Sequence, residues 1–99
     1  MAEQILIIDD ELNNLSVLQA RLKANDFVVH TSADPIQGLK LAESKNPDLI
    51  LLDVNMPQMS GFEVCRRLKS DYTTAHIPVV LLTCMDELSY KLEGLEGGA

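Results

Sequence analysis

Long apolar runs are missing from this 99-residue chain, and so is any excess of basic charge. No stretch approaches the ~20 apolar residues that a membrane-spanning helix needs. The N-terminus, MAEQILIIDDEL, has no basic region, and its apolar run Ile5 to Ile8 stops at two aspartates, unlike a secretory leader. A cytoplasmic location is the resulting expectation. Lysine and arginine number 8 against 15 acidic residues, for a formal charge of −7. That balance repels phosphate backbones and argues against direct nucleic-acid binding by this segment. Cysteine is scarce: Cys65 and Cys84 form no metal-spaced or redox pair and read as buried, reduced thiols. No low-complexity tract, internal repeat or linker interrupts the chain, which reads as one domain over residues 1–99.

What is present is an alternation of short apolar runs with helical patterns. Ile5-Leu6-Ile7-Ile8 is a continuous apolar tetrad, as expected of a strand covered on both faces. Leu15, Leu18 and Leu22 then mark one face of a helix from about Leu12 to Asn25. Phe27 to Thr31, rich in β-branched residues, reads as a second strand. Asp34-Pro35 opens a helix carrying Ile36, Leu39 and Ala42, which ends near Asn46-Pro47. A third strand, Leu49 to Leu52, ends at Asp53. Ser60-Gly61-Phe62-Glu63 matches a capping box, followed by a helix with Phe62, Cys65 and Leu68 on its inner stripe. Pro78 to Leu82 forms a fourth strand, and Asp86 opens a fourth helix that stops at Gly97-Gly98. The order βαβαβαβα predicts an α/β fold, a parallel sheet with helices on both faces.

Three chemical features fall at strand C-termini, where open parallel sheets bind ligands. Asp9-Asp10 follow the first strand, Asp53 ends the third and Thr83 ends the fourth. If the first and third strands are neighbours, the three carboxylates converge. Two such charges about 4 Å apart repel by roughly 4 kcal/mol at an effective dielectric of 20, so the cluster must raise a pKa or bind a cation. The donors are all oxygen, which favours Mg²⁺ over zinc. Mg²⁺ commonly fills its remaining positions with water and phosphate oxygens, and an aspartate can itself form an acyl phosphate. Asp53 is thus a candidate nucleophile, with Thr83 a hydroxyl donor across the cleft. Each feature alone has a plainer reading: a solvated turn for Asp9-Asp10, a helix cap for Asp53, an ordinary strand end for Thr83. Their combination, in order, carries the argument.

The segments ILIIDDE, DLILLDVNMPQMSGFEV and HIPVVLLT resemble the signature segments of response-regulator receiver domains of two-component signalling. The resemblance covers about Gln4 to Ala99. It implies a flavodoxin-like, doubly wound parallel sheet with strand order 2-1-3-4. It also implies that Asp53 is the phosphoacceptor, with Asp10 and Asp53 ligating Mg²⁺ directly, Asn55 through its backbone carbonyl and Asp9 through a bound water. Thr83 matches the switch threonine. The implied partners are a histidine kinase or histidine phosphotransfer protein as donor, and an output domain or effector reached through the surface around the fourth helix. The implied role is signalling, with self-catalysed phosphorylation and hydrolysis, rather than metabolic catalysis.

One departure stands out. Family members continue past Gly-Ala into a fifth strand bearing a lysine and an aromatic switch residue, then a fifth helix, whereas this sequence stops at Ala99. Neither Lys91 nor any other lysine here matches that position. Three readings stay open: a piece of a longer chain, a shortened form that dimerises or exchanges strands to cover its fourth strand, or a naturally short receiver. The last two would weaken phosphorylation, and a rival function follows from them: a receiver-fold interaction module that is never phosphorylated. An aspartyl phosphatase is a poorer match, because its family carries an aspartate where this chain has Asn55.

Overall fold

The apolar tetrad after Gln4 has no polar face to offer water, and the chain buries it at the centre of a sheet. The structure, a computed structural model, describes residues 3–82. Its element order is β1 (Gln4–Ile8), α1 (Leu12–Ala24), β2 (Val28–Ser32), α2 (Pro35–Lys45), β3 (Leu49–Asp53), α3 (Gly61–Ser70) and β4 (Val79–Leu82). All strand pairs are parallel, as the alternation of elements predicts, and the sheet order is β2-β1-β3-β4, the order that the resemblance implies. Thr83, Cys84 and the helix expected from Asp86 lie outside the described residues.

Alternation along β1 divides the core in two. Ile5 and Ile7 face one side, where they meet Leu15, Leu18 and Leu22 of α1 together with Phe27, Val29, Leu49 and Leu51. Leu6 and Ile8 face the other, packed with Ile50, Leu52, Ala42 of α2 and Val64, Cys65 and Leu68 of α3. Helices thus cover both sides of the sheet, and every apolar residue of β1 is buried. Burying one such side chain contributes roughly 1.5–3 kcal/mol. Cys65 is a free, buried thiol, and burial pushes its pKa up.

The helix signals act locally. Asp34 caps α2, accepting from the Ile36 amide at 3.4 Å, and Pro35 occupies the first helical position. Asn46 ends that helix in the left-handed region at φ 45°. Its side-chain amide donates to the Thr73 carbonyl at 3.1 Å, and its Oδ1 meets His76 Nε2 at 3.2 Å. The cap thereby ties α2 to the loop before β4.

Some expectations need correction. Ser60 caps α3 through the Glu63 amide at 3.2 Å, but Glu63 does not reach back to complete a capping box. Its carboxylate pairs with Arg66 and with Arg67 instead, because two guanidinium groups one turn on outcompete a neutral amide. Phe62 is 53% exposed, so it does not belong to the inner stripe. Val64 takes the place foreseen for Phe62: the buried arc of α3 runs through Val64, Cys65 and Leu68. Strand β2 begins at Val28 and extends to Ser32, one residue later at each end than its β-branched run suggests.

Candidate functional site

Reversal of strand order between β1 and β3 opens a crevice at their carboxyl ends. Strand β1 delivers Asp9 and Asp10 to it, and β3 delivers Asp53. Ile8 pairs with Leu52 in register, so the residues that follow each strand emerge side by side. One carboxylate oxygen from each of Asp9, Asp10 and Asp53 lies within 4.8 Å of the others. Three carboxylates foreseen from separate strand ends therefore meet.

Their environments differ. Asp9 is buried, with its backbone N–H donating to the Ser32 carbonyl at 3.0 Å, which anchors it to the end of β2. Its Oδ1 accepts from the Glu11 amide at 2.9 Å and its Oδ2 from the Asn14 side-chain amide at 3.3 Å. Asp10 and Asp53 are half-buried. Burial, and then the charge of Asp9, push the Asp53 carboxyl from the usual value of 3.8 up to about 7; the Asn55 amide, donating to Asp53 Oδ1 at 3.3 Å, pulls the other way. An acid held this far from its ordinary range beside two others is a site that favours a proton or a cation. The all-oxygen donor set fits a hard divalent ion such as Mg²⁺.

The wall around Asp53 is built by the following loop. The Val54 amide donates to the Leu82 carbonyl at 3.0 Å, bringing the end of β4 level with Asp53. Thr83, the next residue, lies outside the described residues. Val54 in turn accepts from the Gly61 amide at 2.8 Å, so the loop between them closes back on β3 and sets α3 beside the crevice. Met56 is buried within that loop, while Asn55 and Pro57 are exposed. Two contributors escaped the sequence reading. Asn14 sits on a helix face with no apolar pattern to flag it, although its spacing of five from Asp9 is compatible with a donor in the first turn of α1. Gly61 read as part of a capping motif, whereas its role is spatial.

A parallel α/β sheet whose switch point gathers three carboxylates defines an acidic, cation-accepting site of the flavodoxin-like class. Comparison with known proteins narrows that class. The response regulator receiver domain matches residues 5–99, and the chain belongs to this family. The response regulator PleD of Caulobacter vibrioides (strain NA1000 / CB15N) is 48% identical over 99 residues, covering 100% of this chain and 22% of that protein. The DNA-binding dual master transcriptional regulator RpaA of a Synechocystis strain is 40% identical over 96 residues, covering 97% of this chain and 40% of its own length. The chain therefore spans well under half of these relatives. Among solved structures, the chemotaxis protein CheY4 of Vibrio cholerae aligns with a TM-score of 0.87 at 29% identity, covering 100% of this chain and 82% of that one. The receiver domain of the sensor histidine kinase PA1611 from Pseudomonas aeruginosa aligns with a TM-score of 0.84 at 26% identity, covering 100% and 80%. That structure has a magnesium ion coordinated in its active-site cleft. The chain is thus a receiver domain of two-component signalling.

Proposed function

We propose that this receiver domain accepts a phosphoryl group on Asp53 from the phosphohistidine of a histidine kinase or histidine phosphotransfer protein. The observation that carries the reading is the convergence of Asp9, Asp10 and Asp53, with Asp53 at the end of β3 and only half-buried. A nucleophile must be reached by an incoming protein, and a fully buried carboxylate could not be. In the step itself, an Asp53 carboxylate oxygen attacks phosphorus as the phosphorus–nitrogen bond breaks. The departing imidazole nitrogen keeps the electron pair and takes up a proton from solvent.

Asp10 and Asp53 would hold Mg²⁺ directly, Asn55 through its backbone carbonyl and Asp9 through a bound water. When bound, Mg²⁺ supplies charge neutralisation for the phosphoryl oxygens. The acyl phosphate carries close to two negative charges where the carboxylate carried one, so the site gains about one. Thr83, which follows the strand end that pairs with Val54, is the proposed hydroxyl partner of the new phosphoryl group. Its response would alter the surface presented to an output domain or effector.

Incubating the chain with Mg²⁺ and acetyl phosphate tests the reading by intact mass. A gain of one phosphoryl group that is lost in Asp53→Asn is the expected result. A folded chain that gains none, and binds no beryllofluoride, would leave an interaction module with a receiver fold as the better account.

A further inference from the structure

Asp9 is the most enclosed of the three carboxylates, at 2% exposure. Its oxygens are held from α1. The Glu11 amide, at the start of that helix, donates to Oδ1 at 2.9 Å. Glu11 is the residue that precedes the first turn, and its amide, which has no partner within the helix, is satisfied by the carboxylate of Asp9. The second donor is not backbone. Asn14 Nδ2 reaches Oδ2 at 3.3 Å from the third residue of α1.

We propose that Asn14 is a positioning residue for the metal site, fixing the rotamer of Asp9 through Oδ2 so that its carboxylate is already set when the cation arrives. The inference rests on the reading of the acidic cluster as a Mg²⁺ site and adds a residue to it. A carboxylate has about four acceptor positions, and two donors leave room for water or metal. With one donor alone, Asp9 can rotate about its Cβ–Cγ bond, and repulsion from Asp10 and Asp53 turns its oxygens away. With a donor on each oxygen, that rotation breaks a bond. Groups that orient metal ligands in this way typically matter by 10- to 100-fold in metal affinity. Asp9 would meet the ion through water rather than directly, and Asn14 is itself exposed, which together place its effect at the lower end.

Calorimetric titration of the chain with Mg²⁺ tests this without reference to phosphorylation. Asn14→Leu keeps the size and removes the donor; Asn13→Leu makes the same change at the neighbouring exposed residue and serves as control. Asn14→Leu is expected to weaken Mg²⁺ binding about tenfold, with a metal-free melting temperature close to that of Asn13→Leu. Asn14→Gln, which restores an amide one methylene further out, should recover part of the loss. Binding by Asn14→Leu within twofold of the unaltered chain overturns the role of Asn14 alone, as does an equal loss in Asn13→Leu. Failure of the unaltered chain to bind Mg²⁺ overturns the site reading and the inference together.

Discussion

Gly61 lies so close to the backbone of Asp53 that a methyl group on its α-carbon would sit 2.2 Å from the Asp53 carbonyl oxygen. The same methyl would be 2.8 Å from the α-carbon of Val54. These are backbone atoms and cannot swing aside as a side-chain tip would. The first residue of α3 is therefore glycine because the helix is docked against the strand end that presents Asp53. Gly61→Ala must push the helix or the strand end outward. Overpacking of this kind costs on the order of 1–3 kcal/mol. Denaturant unfolding should show that loss, and phosphorylation by acetyl phosphate should slow with it, since Asp53 moves.

The acidic cluster predicts how stability follows pH without metal. The folded state holds a proton on Asp53 up to about pH 7, whereas an unfolded aspartate releases it near 3.8. Between those values the folded chain binds more protons than the unfolded one, so stability falls as pH rises through the window. Melting temperatures across pH 4 to 8 should show this decline, and saturating Mg²⁺ should flatten it by offsetting the charge. A metal-free chain that grows more stable across this range through Asp53 contradicts the assignment; Asp53→Asn isolates that contribution.

Asp53→Asn should separate stability from chemistry. The amide keeps the shape of the carboxylate but carries no charge beside Asp9 and Asp10. At pH 8 without metal the variant should be more stable by about 1–2 kcal/mol, once solvent screening of a half-exposed group is allowed for. Its capacity to accept a phosphoryl group should vanish. Chemical unfolding and intact mass measure the two effects on one sample.

Below pH 7 a cation must displace the proton on Asp53. Mg²⁺ affinity should fall as pH drops from 8 to 6, and binding at pH 6 should release protons. Titrations in two buffers of different ionisation enthalpy detect that release. Equal affinity at both pH values would show that Asp53 does not titrate with the site.

Asn46 should prove costlier to replace than an exposed helix end normally is. It combines a left-handed backbone with side-chain bonds to Thr73 and His76. Asn46→Gly relieves the backbone but loses the ties, while Asn46→Ala loses both. Guanidinium unfolding should rank Ala below Gly, with Ala costing about 1–2 kcal/mol.

Local chemistry wrote much of this protein into its sequence. Ile5 to Ile8, polar nowhere, had to lie between two layers, because only a central parallel strand hides both its faces. Asp34-Pro35 and Ser60 had to begin helices, because capping and a preset φ act within a few residues. The candidate site was legible to the same extent: Asp9, Asp10 and Asp53 each follow an apolar run, and parallel topology puts every such end on one edge. Tertiary structure decided the rest. Phe62 and Val64 both suit a helix interior by composition, and only the docking of α3 on β3 and β4 selects which is buried. Glu63 differed for a local reason: the charged groups three and four residues on outcompete the neutral amide of the helix start. The donors on Asp9, the proton held by Asp53 and the need for glycine at position 61 depend on distances between atoms far apart in the chain or across a turn, which no local pattern encodes.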